Sequence, residues 1–244
     1  MSKQVAPEPL LDRKGLTEQE VGALWAFLHG DIMIGGIRQR IREHWGLCSR
    51  HAWGHAVVEI ELWEQGAGAR QGHQPFDVGV LYMDLLEAMS HQLHHSRHSP
   101  RRALERQGSC YVCQQLDMSA DEAKRQIGYA GFNSVGLTEE TNRFAYTSSW
   151  LTETAERWQP QLCPQCLPGS HGLLCRQHLL DSNPDDGAAA PTADYLDDVR
   201  GRLSVLINSM TELGDPSTPQ ADASWIQALG WFHTWSFPLD LAAM

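Results

Sequence analysis

Apolar residues recur at intervals of three and four positions along most of the chain, a spacing that places them on one face of an α-helix. No segment shows the strict alternation of a half-buried strand. The pattern predicts an all-α fold of about seven or eight helices. The clearest stripes are Val21, Leu24, Trp25 and Leu28; Ile34, Ile37, Ile41 and Trp45; Ala52, Ala56, Val57, Ile60 and Trp63; Val80, Leu81, Leu85, Met89 and Leu93; and Leu196, Val199, Leu203, Leu206, Ile207 and Met210.

Start and stop signals add further elements to this list. Capping boxes at residues 17–20 and 119–122 predict helix starts, and the second helix should run to about Ala130. Residues 138–158 are predicted to be helical. The acidic, proline-bearing stretch 181–193 is typical of a linker.

All six cysteines lie three positions from another potential metal ligand, in two C-x-x-C and two C-x-x-H pairs. A gap of two residues allows both side chains of a tight turn, here called a knuckle, to converge on one ion. Three thiolates and one imidazole around a closed tetrahedral ion are a ligand set typical of zinc. Two Cys3His sites, and hence two zinc ions, are predicted. The expected ligands are Cys48, His51, Cys110, Cys113, Cys163, Cys166, Cys175 and His178.

The pairing of these motifs stays open at the level of sequence. The compact choice joins the 163–166 pair with the 175–178 pair and leaves the 48–51 pair to the 110–113 pair. The alternative joins the 110–113 pair with the 175–178 pair. The entropy cost of closing a long loop grows only slowly with its length, so distance along the chain does not decide between them.

Disulfide bonds are the competing interpretation of the cysteines. They would leave the repeated Cys-x-x-His spacing unexplained. The N-terminal residues also lack the apolar core of a signal peptide, so a cytoplasmic protein with reduced thiols is expected. Metal binding is therefore favoured, and redox-active thiols come second.

A Gly-Leu lead-in precedes both C-x-x-H knuckles, at Gly46-Leu47 and Gly172-Leu173, which indicates two diverged copies of a helix–knuckle–helix unit. Together with the CPxC form of residues 163–166, the pattern resembles a family of uncharacterised bacterial helical zinc-knuckle proteins with CPxC and GFCxxH motifs. The resemblance covers roughly residues 20–180. It implies metal binding and a helical fold but no established activity. The chain departs from that family in having no CPxC pair before Cys48.

The elements and knuckles divide the 244 residues into three predicted units. Residues 1–107 form an N-terminal helical unit with the first knuckle, and residues 108–183 form a cysteine-rich zinc-knuckle unit. Residues 184–244 form a linker followed by a C-terminal helical pair.

Net charge and hydropathy restrict the classes of partner that the protein can bind. A formal charge of −11 argues against a general nucleic-acid binder, which needs an excess of Lys and Arg. No apolar run approaches the ~18 residues of a membrane span. One basic patch begins at the end of the fourth stripe, and it predicts a solvated helix end, a pH-responsive patch or a site for an acidic partner such as DNA. Its members are His91, His94, His95, Arg97, His98, Arg101, Arg102 and Arg106.

Two further groups carry alternative chemistry. His51, His55 and Glu59 share a helix face and could hold a catalytic metal with open positions, although Ala52 stands where a zinc protease needs glutamate. Aromatic residues crowd the C-terminal helix, where Trp231, Phe232 and Trp235 are predicted as an interaction surface. A helix buried on all sides would give the same pattern.

These observations favour a non-catalytic helical protein that is stabilised by two structural zinc ions and acts through contact with another protein. Three alternatives remain from the same sequence. They are a redox-responsive sensor that releases zinc, a metalloenzyme built on the His51, His55 and Glu59 face, and a DNA-binding regulator.

Overall fold

The computed structural model describes residues 10–62, 74–95, 99–117, 134–211 and 213–243. Within these ranges the protein is helical without strands, which confirms the all-α prediction, and its fourteen α-helical segments exceed the number expected. The segments are α1 (Glu18–Leu28), α2 (Gly35–Glu43), α3 (Ser49–Glu61), α4 (Phe76–His95), α5 (Pro100–Leu104), α6 (Tyr111–Leu116), α7 (Ser134–Thr141), α8 (Ala145–Glu153), α9 (Ala155–Trp158), α10 (Arg176–Asp181), α11 (Asp186–Ser209), α12 (Pro219–Asp222), α13 (Ser224–His233) and α14 (Ser236–Ala242).

Two helices lie at the centre of the molecule. Every residue of α3 except Arg50 is buried, and every residue of α13 is buried. A helix without an exposed face needs neighbours on all sides. Helices α1, α4, α8 and α13 supply them around α3.

Two buried carboxylates at the end of α3 fix where neighbouring helices begin. Glu59 accepts hydrogen bonds from the backbone N–H groups of Asp77 (2.6 Å) and Val78 (2.9 Å) in the first turn of α4. Glu61 accepts from the backbone N–H and the hydroxyl of Thr147, at 2.8 and 2.6 Å, in the first turn of α8. The first N–H groups of a helix have no partner inside it, so these carboxylates satisfy them and complement the positive end of each helix.

One of the predicted segments is confirmed in divided form and another is wrong. Residues 138–158 are largely helical as expected, but Phe144, in a left-handed conformation (φ 51°), separates α7 from α8, and Thr154 separates α8 from α9. The linker expected over 181–193 is largely helical, since α11 begins at Asp186. Asp185 caps it by accepting from Ala188 N–H at 3.2 Å, and Pro191 is tolerated near its start.

Most of the remaining helix predictions are confirmed, and one lies outside the described residues. The stripes in α1, α3, α4 and α11 are confirmed as helical, apart from Trp63, which lies outside the described residues. Of the second stripe, α2 contains Ile37 and Ile41 but not Ile34 or Trp45. The capping box Thr17–Glu20 starts α1 as expected, with Glu20 N–H donating to the Thr17 hydroxyl and Thr17 N–H donating to the Glu20 carboxylate. The helix expected from Ser119 to about Ala130 lies outside the described residues.

Buried side chains from all three predicted units belong to one continuous core. Contributions run from Leu11 near the N-terminus, through Leu162, to Leu241 near the C-terminus. Among the described helices none has the length and apolar character needed to cross a membrane.

The aromatic interaction surface predicted on the C-terminal helix is wrong, because Trp231, Phe232 and Trp235 are at most 2% exposed. The chain reverses at Thr234 (φ 68°), and the indole of Trp235 folds back onto Gly230. A Cβ atom at Gly230 would lie 2.4 Å from that indole, so only glycine permits the contact. These aromatic residues form the core.

Replacing Trp235 with alanine tests this burial. We expect Trp235→Ala to lower the free energy of unfolding by about 3–5 kcal/mol, because it leaves a large cavity in the core. Denaturant unfolding followed by circular dichroism measures the change. Leu213→Ala is the control, since Leu213 is 99% exposed and its loss should cost less than about 0.5 kcal/mol. Equal small losses for both variants would contradict the buried position of Trp235.

Candidate metal centres

Both C-x-x-H knuckles are helix starts with nearly the same backbone conformation. Cys48 is the N-cap of α3 (φ −70°, ψ 164°), and Cys175 is the N-cap of α10 (φ −66°, ψ 162°). His51 and His178 therefore stand in the first turn, three residues after the cap. A side chain at the cap and one at the third helical position lie close together, as they do in a capping box.

The two C-x-x-C pairs reach similar turns by different routes. Cys110 is the N-cap of α6 and Cys113 stands in its first turn. In the other pair, Cys166 N–H donates to Cys163 O at 2.9 Å within a turn outside any helix. That turn is held against the following segment by a hydrogen bond from Gly172 N–H to Leu162 O at 3.0 Å.

Gly172 has a close packing role in this arrangement. A Cβ atom at this position would lie 2.0 Å from the carbonyl oxygen of Gln161. The close approach of the two backbone segments brings the 163–166 turn beside the start of α10. Glycine is therefore required at position 172, the first residue of the second Gly-Leu lead-in, because a side chain would clash with the backbone of Gln161.

The first metal centre is formed by Cys48, His51, Cys110 and Cys113, whose ligand atoms all lie within 4.8 Å of one another. Nδ1 of His51 is 3.2 Å from Cys48 Sγ, 3.6 Å from Cys110 Sγ and 3.4 Å from Cys113 Sγ. The Sγ atoms of Cys48 and Cys113 are 3.8 Å apart.

The second metal centre is formed by Cys163, Cys166, Cys175 and His178, which meet the same distance limit. Nδ1 of His178 is 3.3 Å from each of the three Sγ atoms, and the Sγ atoms of Cys166 and Cys175 are 3.8 Å apart. Hydrogen bonding to Cys175 and burial raise the pKa of Cys163 to about 12. At neutral pH a cation that replaces the proton is therefore needed to make this thiol a thiolate.

These distances match the edges of a tetrahedron around one ion. Bonds of about 2.3 Å to sulfur and about 2.1 Å to nitrogen place two sulfur ligands about 3.8 Å apart, and sulfur and nitrogen about 3.6 Å apart. The structure thus confirms that two Cys/His clusters could hold metal ions, in the compact pairing. The alternative that joins residues 110–113 with residues 175–178 is wrong.

A carboxylate orients the histidine of the first centre. Nε2 of His51 lies 3.2 Å from Oε1 of Glu20, so its N–H donates to the carboxylate while Nδ1 faces the sulfurs. Arg50 donates to both oxygens of the same carboxylate. Burial raises the pKa of Glu20, but the hydrogen bonds from His51 and Arg50 outweigh it and hold the pKa well below its usual range. A charged carboxylate behind a ligating imidazole fixes its tautomer and increases its basicity.

The two centres differ in exposure. In the first, only Cys113 is half-buried, whereas in the second both Cys166 and His178 are half-buried. The first centre joins segments separated by more than fifty residues, and the second is local to residues 163–178. Loss of an ion from the first centre would therefore release a tertiary contact, while loss from the second would release a loop.

The three residues of α3 that were predicted as an alternative open metal site have other roles. His51 belongs to the first centre, and Glu59 caps α4 as described above. His55 is fully buried with its ring edge against Phe27, and burial lowers its pKa to about 3, so the ring is neutral. Within the described residues His55 and Glu59 belong to neither ligand cluster.

The predicted basic patch is only partly on the surface. His91, His94, His95, Arg101 and Arg102 are exposed, and Arg97 and His98 lie outside the described residues. Arg106 is half-buried, and its guanidinium donates to Phe232 O and contacts Nδ1 of His233. This arginine is therefore less accessible to a partner than Arg101 and Arg102.

Comparison with protein-family models, with curated proteins and with solved structures gives no match. The resemblance to the zinc-knuckle family stays a prediction. The assignment of a metal-binding role therefore depends on the geometry of the two clusters.

Sequence reasoning missed Glu20 as part of the first centre. Its role in the capping box already explained its presence, and it lies thirty-one residues from His51 along the chain. No local signal connects the two. The one hint is that Glu20 and His51 each lie in the first turn of a helix, α1 and α3.

Replacing Glu20 with glutamine tests the orientation of His51. We expect Glu20→Gln to weaken metal binding at the first centre by about 10–100-fold, because glutamine still caps α1 but cannot stabilise the imidazole as an anion does. Competition of a chelator with bound Co²⁺, followed by absorption, measures the affinity. Glu18→Gln, at an exposed position in the same helix turn, is the control. Unchanged affinity in Glu20→Gln would show that the carboxylate does not act on the centre.

Proposed function

We propose that the protein is a non-catalytic helical module whose two metal centres are structural zinc sites. The observation that carries this proposal is that each cluster offers four protein ligands at tetrahedral distances. A catalytic zinc site keeps one position for water or substrate, whereas a structural site is closed by protein. Neither cluster leaves such a position when all four ligands bind.

Zinc fits the ligand set better than other divalent ions. Three thiolates select soft or borderline metals and disfavour Mg²⁺ and Ca²⁺, which prefer oxygen. The combination of sulfur and nitrogen ligands and the tetrahedral distances between the ligand atoms both support zinc. Two ions per chain are therefore proposed.

The ions act by coupling metal binding to folding. The first zinc ties the start of α3, the central helix, to the start of α6. The second ties the 163–166 turn to the start of α10, which packs against α13. Binding free energy at such sites is also folding free energy, so the ions hold the arrangement of helices that a partner would meet.

A second protein is the proposed partner, as the closed sites leave no position for a substrate. The surface for this contact does not include the buried aromatic residues of α13. Large apolar side chains that are exposed lie elsewhere, among them Met33 and Ile34 between α1 and α2, which are 74% and 51% exposed.

Metal content is the experiment that tests the zinc proposal. Protein purified without a tag should contain two zinc ions per chain, and Cys48→Ala and His178→Ala should each retain one. His171→Ala is a matched control for the second centre, because His171 is exposed in the same loop but is not among its ligands. Mass spectrometry under native conditions counts the ions. No zinc in the parent, or two in Cys48→Ala, would contradict the proposal.

Release of zinc on oxidation is the second candidate function, and one observation favours it. In each centre a half-buried cysteine lies 3.8 Å from a buried one, Cys113 from Cys48 and Cys166 from Cys175. Peroxide could oxidise such a pair to a disulfide, with peroxide reduced to water and the zinc ion set free.

Peroxide treatment below the unfolding temperature tests this candidate. We expect zinc release from the second centre first, because it has two half-buried ligands, and a chromogenic chelator measures the rate. Cys166→Ala should hold only the ion of the first centre, so its trace assigns the slower phase to that centre. Zinc release only on unfolding would rule out a redox function.

A further inference from the structure

Arg176 directly follows a ligand of the second centre and is only 4% exposed. Its Nη1 donates to the carbonyl of Leu104 at 2.8 Å, and its Nε donates to the carbonyl of Phe232 at 3.2 Å. The guanidinium thus lies inside the molecule with backbone carbonyls as acceptors.

No acidic side chain compensates this charge in the described part of the chain. The ion pairs found there involve other arginines and histidines and do not include Arg176. A guanidinium keeps its proton at neutral pH, so Arg176 brings a full positive charge into the interior. A buried charge without an opposite charge is strongly unfavourable.

The carbonyl of Phe232 supplies only part of the missing negative charge. Phe232 is in the last turn of α13, where the carbonyl end of the helix carries a partial negative charge. Arg106 also donates to this oxygen, at 3.2 Å, so two guanidinium groups share one helix end. A further source of negative charge is needed.

The second metal centre becomes such a source when it binds its ion. A divalent cation that binds three thiols and one neutral imidazole releases three protons, and the complex carries a net charge of −1. The same cluster with three thiols and no ion is neutral. The ligand Cys175 is the residue before Arg176, so this charge arises one residue away along the chain from the buried arginine.

We propose that Arg176 is the buried counter-charge of the second metal centre and raises the affinity of that centre for a divalent ion. Arg176 is a positioning residue and not a ligand, since its guanidinium donates to the backbone carbonyls of Leu104 and Phe232. The inference rests on the proposed structural metal sites. It says that the positive charge of Arg176 stabilises the metal-bound second centre, which carries a net negative charge.

The first test compares metal affinity in Arg176→Gln and in the parent. Titration with Co²⁺ against a competing chelator gives the two dissociation constants, and His178→Ala assigns the step that belongs to the second centre. We expect Arg176→Gln to weaken that step by about 10–100-fold. Arg101→Gln is the matched control, because Arg101 also donates to a backbone carbonyl, that of Leu180, but at the surface.

A double-mutant cycle separates charge from hydrogen bonding. In Cys166→His the loaded centre has two thiolates and a net charge of zero, so Arg176→Gln should then cost no more than about threefold. An equal cost in both backgrounds would show that Arg176 acts only through its hydrogen bonds and would overturn the proposal. The Co²⁺ spectrum reports whether the two-histidine centre is tetrahedral.

Arg176→Lys provides an independent comparison if Cys166→His fails to bind the ion. Lysine keeps the charge without the planar pair of donors, so it should retain most of the affinity that Arg176→Gln loses. Equal losses in both variants would overturn the proposal. A parent that binds no metal would contradict the proposed function itself, whereas a parent with two ions and an unaffected Arg176→Gln would contradict only the role of Arg176.

Discussion

Convergence of four ligand side chains on each of two points is the constraint on which the arrangement of helices depends. At both points the sulfur and nitrogen atoms lie near the corners of a tetrahedron, with distances between them close to its edge lengths. Three of the four knuckles meet this constraint by placing a cysteine at the N-cap of a helix and the second ligand in its first turn. The direction of α3, α6 and α10 is therefore tied to the metal centres.

Helix α3 connects the metal chemistry to the core. It begins with ligands of the first centre and ends with Glu59 and Glu61, which cap α4 and α8. Between these ends all its side chains are buried. The carboxyl end of α13 accepts hydrogen bonds from Arg106 and from Arg176, which follows the ligand Cys175 in the chain. Packing, capping and ligation are thus shared by the same few helices.

Much of the fold and the ligand set follows from the sequence, because both depend on short-range spacing. The stripe from Leu196 to Met210 and the four knuckles needed no tertiary information. The errors arose where something other than the apolar periodicity decides the outcome. Phe144 breaks a periodic stretch through its left-handed backbone, and Trp235 is buried because it packs on Gly230. The partnership of Glu20 with His51 and the burial of Arg176 depend on contacts between segments far apart in the chain.

X-ray absorption at the zinc edge on the protein as purified tests the central claim most directly. The account predicts an average of three sulfur atoms at about 2.3 Å and one nitrogen atom at about 2.0–2.1 Å around each zinc ion, with no shell of water oxygen. A coordination shell dominated by oxygen and nitrogen, or one with a water oxygen in a fourth position, would contradict closed Cys3His centres. Such a result would favour an open metal site over closed structural centres.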